Sequence, residues 1–91
     1  MIKSFRFKAL RDLFAADNAK GMRSDLADRA RVRLQVLHRA LSLGDLNLPG
    51  WNLHRLRGRP ERWAIAVNGP WRITFAWDGT NVLAVDVEQY H

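Results

Sequence analysis

The chain has 91 residues, 47% of them hydrophobic and 26% charged, which predicts one globular domain spanning residues 1–91. It contains no cysteine, which excludes disulfides, thiolate metal sites and cysteine nucleophiles. No apolar run approaches the roughly 18 residues of a membrane span, and residues 1–10 lack a signal-peptide core, so we expect a cytoplasmic protein without a membrane partner.

The charge balance is strongly basic. Lys and Arg number 15 against 9 Asp and Glu, which gives a formal net charge of +6. Lysine occupies only positions 3, 8 and 20, and the other cations are arginine. Because the guanidinium fork matches two phosphate oxygens at once, this composition favours a polyanionic partner such as nucleic acid. The alternative is a codon preference for arginine in a GC-rich genome.

The first part of the chain has helical periodicity. A short opening strand is predicted at Ile2, Phe5 and Phe7. A short first helix follows and ends near Asn18, with an apolar side formed by Leu10, Leu13 and Phe14. After a turn at residues 19–21, Ser24 is the predicted N-cap of a second helix that has Asp25 and Asp28 in its first turn and stops at Gly44. Its predicted buried stripe consists of Leu26, Ala30, Leu34, Leu37 and Leu41.

The second part alternates between apolar and polar residues. Three such runs predict three neighbouring antiparallel strands, marked by Trp63, Ile65 and Val67, by Trp71, Ile73, Phe75 and Trp77, and by Leu83, Val85 and Val87. A three-residue loop at 68–70 would place Val67 opposite Trp71 and keep both apolar rows on one face. The same alternation places Arg72 on the face away from the core, with Asp86, Glu88 and Tyr90. We therefore predict an α+β fold, with two N-terminal helices packed on one face of a small, mainly antiparallel sheet.

Metal and nucleotide-cofactor chemistry find no support in the sequence. His38, His54 and His91 are the only imidazoles, and none has the spacing of a metal-ligand pair. No glycine-rich phosphate-binding motif is present, so we expect neither a metal nor a cofactor.

The second part of the chain contains a set of polar, mostly cationic residues that could form a functional site. This set consists of His54, Arg55, Arg57, Arg59, Arg62, Arg72, Tyr90 and His91. On an open sheet face, such residues could hold a phosphate and stack a base. The alternative is structural: Arg72 pairs with Asp86 or Glu88, His54 caps a turn, and Tyr90 and His91 form a frayed tail.

Four segments in order resemble one known family over the whole chain. They are MIKSFR at residues 1–6, LHRLRG at 53–58, WAIAVNGPWRITF at 63–75 and the pair Tyr90 and His91. The chain resembles the HigB (host inhibition of growth) toxins of the RelE superfamily. The resemblance implies their compact α+β, RNase-like fold and a ribosome-dependent endoribonuclease that cuts translated mRNA. It also implies inhibition by a HigA-like helix-turn-helix antitoxin, through which contact with operator DNA would be only indirect.

The resemblance further implies a set of site residues. The family's functional positions match His54, Arg57, Arg72, Tyr90 and His91 of this chain. The family's lysine is replaced by Arg57, which keeps the charge but makes proton transfer implausible, and its aspartate near the end is replaced by Gln89.

A metal-independent mechanism assigns these residues their roles. His91 is the expected proton-transfer group, Arg72 and Arg57 stabilise charge at the scissile phosphate, His54 is a second acid/base or positioning group, and Tyr90 stacks. Contacts to RNA or the ribosome are expected from Arg55, Arg59 and Arg62. Two alternatives remain at this point: a non-catalytic nucleic-acid-binding module, and a basic protein whose arginines meet an acidic protein partner.

Overall fold

The computed structural model describes residues 1–89. The elements are helix α1 (Lys8–Ala16), helix α2 (Ser24–Arg39), a 3-10 helix (Leu43–Leu46) and strands β1 (His54–Leu56), β2 (Arg62–Asn68), β3 (Trp71–Trp77) and β4 (Val82–Gln89). The four strands form one sheet in the order β1-β2-β3-β4, and every neighbouring pair is antiparallel. The predicted α+β architecture is confirmed.

Both helices pack on the same face of the sheet and form the core with it. Four of the five residues predicted for the stripe of α2 are buried, and they pack with the buried strand residues Ile65, Ile73 and Phe75. Each fully buried leucine or phenylalanine side chain contributes about 1.5–3 kcal/mol relative to its exposed state. Within residues 1–89, no helix has the length and apolar character needed to cross a membrane.

The N-terminal segment pairs with β4, although it is not the strand that was predicted. Ile2 and Phe5 form isolated parallel bridges to Val82 and Val85. Phe7 has an extended backbone and its N–H donates to the carbonyl of Val85 at 3.4 Å, but it forms no bridge of its own to β4. Its carbonyl accepts hydrogen bonds from the first turn of α1, so Phe7 is the N-cap residue and its side chain is 37% exposed.

Helix α2 begins one residue earlier than a Ser24 cap would require. The N–H of Ala27 already donates to the carbonyl of Arg23, which makes Arg23 the N-cap residue, and no side chain caps this end. Ser24 is therefore inside the helix and the predicted cap is wrong. Asp25 lies in the first turn as predicted, but Asp28 lies beyond it and pairs with an arginine one turn later.

Helix α2 also ends earlier than predicted, at Arg39 rather than near Gly44. The carboxylate of Asp45 accepts hydrogen bonds from the N–H groups of Leu41 and residue 42, which favours a capped 3-10 helix over continuation of the α-helix. Leu41 consequently leaves the stripe and is 86% exposed, whereas Leu46 is fully buried. The prediction that Leu41 is buried is wrong.

The turn between β2 and β3 is tighter than predicted. Asn68 pairs with Trp71, so only Gly69 and Pro70 lie between the strands. The predicted three-residue loop and the pairing of Val67 with Trp71 are therefore wrong.

A β-bulge at Val67 nevertheless gives the rest of the hairpin the predicted register. Ala66 pairs with Arg72, and Ile65 pairs with Ile73. The extra residue changes the parity that a two-residue turn alone would impose. The apolar rows of β2 and β3 thus share one face, as predicted.

A second bulge lies in β4, where Ala84 has a left-handed φ of 52°. Before this bulge, Val82 pairs with Trp77 and is buried, whereas Leu83 pairs with Ala76 on the other face. The predicted inward position of Leu83 is wrong because the inserted residue reverses the alternation. Beyond the bulge, the predicted alternation of β4 holds.

Candidate active site

The face of the sheet opposite the helices carries the polar side chains of the site. Register pairs Arg72 with Glu88 and Thr74 with Asp86, so these four residues share that face. This confirms the predicted position of Arg72, Asp86 and Glu88. Thr74 is fully buried, whereas Arg72, Asp86 and Glu88 around it are partly exposed.

A cleft of about 490 Å³ lies on this face, and we call it the arginine cleft. Its charged lining residues are Arg6, Arg57, Arg59, Arg62, Arg72 and Glu88. Several guanidinium groups around one concave surface focus positive potential and attract anions. The cleft therefore suits a phosphate group better than a neutral ligand.

Arg6 is a member of the cleft that reasoning from composition and spacing missed. The N–H of Arg6 donates to the carbonyl of Val85 at 2.8 Å, which fixes the N-terminal segment beside β4. Only this long-range pairing places Arg6 with the cations of the second part of the chain. The opening segment MIKSFR, noted for its family resemblance, was the available signal.

Arg62 occupies the cleft with its charge paired. Its Nη2 atom donates to a Glu88 carboxylate oxygen and to the Thr74 hydroxyl, each at 2.5 Å, and the Thr74 hydroxyl donates to the same carboxylate oxygen. Burial raises the pKa of Glu88, but the hydrogen bonds from Thr74 and Arg62 outweigh that effect and hold the pKa below its ordinary value. The Arg62 side chain, 20% exposed, thus supports the wall of the cleft through Glu88.

The Glu88 carboxylate makes stability depend on pH. A carboxyl group whose pKa is lowered by folding contributes stability above its unfolded pKa and loses it as pH falls through the folded pKa. We expect Glu88→Gln to reduce the unfolding free energy by about 1 kcal/mol at pH 7 and to flatten its decline between pH 5 and pH 3. Urea unfolding at several pH values measures both effects.

Glu61→Gln is the matched control, because Glu61 is an exposed carboxylate that pairs with Arg55 at 3.5 Å. Surface pairs of this kind contribute little to stability. If Glu88→Gln and the wild type lost stability in parallel on acidification, the assigned role of Glu88 would be wrong.

His54 lies at the start of β1 beside a second, smaller cavity. Its Nδ1 atom is 2.8 Å from the carbonyl oxygen of Asn52, a geometry in which Nδ1–H donates and Nε2 is left to accept a proton. The cavity, about 220 Å³, is lined by Asn52, His54, Ala66, Gly69, Pro70, Trp71 and Arg72, and we call it the His54 pocket. Arg72 lines both cavities, so His54 and Arg57 lie in two neighbouring cavities that share this residue.

Arg55 is separated from this region. It pairs in register with Trp63, so it projects from the face of β1 opposite to His54, and it forms an ion pair with Glu61. Arg59, by contrast, lines the arginine cleft. Of the three residues expected to contact RNA or the ribosome, the structure thus brings Arg59 and Arg62 to the cleft but not Arg55.

Tyr90 and His91 lie outside the described residues, and their assigned roles remain predictions. The residues that lead to them are on the site face or beside it: Glu88 pairs with Arg72, and Gln89 pairs with Trp71.

The third histidine has a structural partner in the fold. The Nδ1 atom of His38 accepts a hydrogen bond from the N–H of Ile2 at 3.1 Å, and its ring packs against Phe14. His38 therefore ties α2 to the N-terminal segment. In the part of the chain that the structure describes, no three His, Asp or Glu side chains are grouped so that they could hold a metal ion.

Comparison with known proteins agrees with the resemblance seen in the sequence. The profile of the HigB-like toxin family, described as RelE-like toxins HigB of type II toxin-antitoxin systems, matches residues 3–91. The Endoribonuclease HigB of Proteus vulgaris is 38% identical over 92 residues, an alignment that covers 100% of both chains. The chain therefore belongs to the HigB-like family of RelE-like toxins from type II toxin-antitoxin systems.

Proposed function

We propose that this toxin is an endoribonuclease that cuts mRNA on the ribosome and is held inactive by a HigA-like helix-turn-helix antitoxin. The observation that carries the proposal is the position of Arg72 between the arginine cleft and the His54 pocket. One side chain can thus contact a phosphate while a proton-transfer group lies on one side of it and further cations lie on the other.

The proposed reaction begins with attack of a ribose 2′-oxygen on the adjacent phosphorus, and the 2′-hydroxyl proton passes to a base. The bond from phosphorus to the 5′-oxygen then breaks, and that oxygen receives a proton from an acid. The products are a 2′,3′-cyclic phosphate and a 5′-hydroxyl group. Each proton-transfer role can be filled by a side chain, so the scheme requires no metal ion.

The described geometry suggests which residues fill these roles. With Nδ1 held by the carbonyl of Asn52, the Nε2 atom of His54 is positioned to accept the 2′-hydroxyl proton. Arg72 and Arg57 would stabilise the charge that develops on the phosphorane oxygens. We assign the acid to His91 and base stacking to Tyr90 on the family resemblance.

The arginine cleft also supports RNA and the ribosome as the proposed partners. A basic protein with an arginine-lined cleft is attracted to RNA and to the phosphates of the ribosome, and Arg59 and Arg6 extend the cleft beyond the reacting phosphate. Contact with operator DNA would run through the antitoxin alone.

Expression in bacteria tests the proposal. We expect induction of the wild-type toxin to stop incorporation of labelled methionine and to arrest growth, and co-expression of a HigA-like antitoxin to restore both. The reason is that translated message is the proposed substrate. Primer extension on total RNA should show new 5′ ends within coding regions.

Arg72→Ala, expressed at the same soluble level, is the control that should leave growth unaffected. Normal growth of cells that contain soluble wild-type toxin would contradict the proposal. Growth arrest without new 5′ ends would favour a non-catalytic nucleic-acid-binding protein instead.

A further inference from the structure

Arg33 links helix α2 to strand β2 and to the segment that precedes β1. Its Nε atom donates to the carbonyl oxygen of Ala66 at 2.7 Å, and its guanidinium carbon lies 4.9 Å from the ring centroid of Trp51. The N–H of Ala66 donates in turn to the carbonyl of Trp51 at 2.7 Å. These three residues form a closed set of contacts, which we call the Arg33 bracket.

One end of the bracket fixes the strand opposite Arg72. Ala66 is the register partner of Arg72, it lines the His54 pocket, and it directly precedes the bulge at Val67. The hydrogen bond from Arg33 therefore holds the backbone at the place where the regular pairing of β2 with β3 is interrupted.

The other end fixes the segment that carries His54. Trp51 is buried and directly precedes Asn52, which has a left-handed φ of 47° and whose carbonyl oxygen lies 2.8 Å from Nδ1 of His54. A shift of Trp51 would move this carbonyl and with it the orientation of the imidazole. The bracket thus spans the two walls of the pocket, one bearing His54 and the other facing Arg72.

The chemistry of the position suits a guanidinium group in particular. Burial, followed by repulsion from Arg29, lowers the pKa of Arg33, so the charged side chain is held at some energetic cost. A guanidinium can donate along a fixed direction and present its flat face to an aromatic ring at the same time. An ammonium group can replace the charge, but it has no flat face and no fixed donor direction.

We propose that Arg33 is a positioning residue that sets the placement of His54 relative to Arg72 and fixes the ring tautomer of His54. This inference rests on the proposed ribonuclease function and assigns Arg33 no contact with substrate.

Three variants test the proposal: Arg33→Lys, Arg33→Met and, as the matched control, Arg29→Met. Arg29 is an exposed arginine one turn earlier on the same helix, so its loss changes the net charge equally. It removes the repulsion that Arg33 experiences but leaves the contacts of Arg33 with Ala66 and Trp51 in place. We expect both Arg33 variants to lower kcat on ribosome-bound message by about 10-fold or more, since small misplacements of catalytic groups have effects of this order. KM should change less than about 2-fold, because the arginine cleft is left intact, and Arg29→Met should match the wild type.

A second readout does not depend on activity. Nitrogen-15 NMR of the histidine side chains, with the His54 signals assigned by their absence in His54→Gln, reports which ring nitrogen carries the proton. We expect the wild type to show His54 protonated at Nδ1 and both Arg33 variants to show a mixture of tautomers. Arg33→Lys keeps the charge and serves as the informative variant if Arg33→Met does not fold.

The outcomes separate this inference from the proposed function. A wild-type protein that does not cleave would overturn the ribonuclease proposal, while the tautomer measurement would still test the bracket. Unchanged His54 signals in Arg33→Lys would overturn the positioning role, as would a rise in KM at constant kcat, which would instead indicate direct contact with RNA.

Discussion

Replacement of Arg72 by alanine is expected to lower the rate of message cleavage by about 100-fold or more. Preorganised donors directed at the charge that develops in a transition state have effects of this size. Arg72 is the residue shared by the arginine cleft and the His54 pocket, so its loss removes a cation from the place where the two meet. The measurement is the single-turnover rate on ribosome-bound message.

The fold should survive this change. Arg72 is half-buried on the face of the sheet opposite the helices, and its truncation leaves the apolar core untouched. We expect a loss of about 1 kcal/mol in unfolding free energy, measured by urea titration. Arg11→Ala, an exposed arginine on α1, is the control for net charge and should retain full activity.

Arg57→Lys completes this series. Because Arg57 is assigned a purely electrostatic role, a lysine at this position should cleave within a few-fold of the wild type. Full activity of Arg72→Ala would contradict the site assignment, whereas a folded but inactive Arg57→Lys would show that the guanidinium fork itself is required.

We expect the ribosome to change the rate of message cleavage by more than the loss of Arg72 does. The arginine cleft and the His54 pocket are open surfaces, and the described residues include no lid that would hold a flexible RNA in line for attack. Orientation of reacting groups can lower a barrier by about 7–11 kcal/mol in well-held systems. We therefore expect the same message to be cut at least about 1000-fold faster on programmed ribosomes than free in solution.

Primer extension on one message, with and without ribosomes, measures this ratio. His91→Gln should reduce cleavage in the ribosome-bound reaction if His91 is the acid, and binding of the toxin to the ribosome should be unchanged. Equal cleavage of free and ribosome-bound message would contradict the proposed dependence.

The parts of the fold with strong periodicity were predictable from the sequence. Helix α2 and strands β2 and β3 each bury one face, and this burial produces the apolar stripe of the helix and the alternation of the strands. The same alternation predicted the side of the sheet on which Arg72 lies. The two bulges were not predictable in this way. Val67 and Ala84 have no local signal that marks them as extra residues, and each shifts the register after it by one.

Some residues of the site could likewise be predicted from the sequence around them, whereas others depend on pairing between distant segments. The shared face of Arg72 and Glu88 followed from strand alternation and Arg57 lies in a sequence motif, but Arg6 joins the cleft only through the pairing of the N-terminal segment with β4. The separation of Arg55 from the cleft could not be predicted, because it depends on which side chains of the three-residue strand β1 face the site, and so short a strand has no clear alternation in the sequence.

The parallel bridges of Ile2 and Phe5 to β4 affect the tendency of the protein to aggregate. Exposed outer strands offer backbone donors and acceptors to other chains and promote aggregation. Here, within residues 1–89, the outer strand β4 is paired with the N-terminal segment at Val82 and Val85, and the other outer strand, β1, is only three residues long. Neither border of the sheet thus presents a long strand for intermolecular pairing, and the high positive charge adds mutual repulsion between copies of the protein.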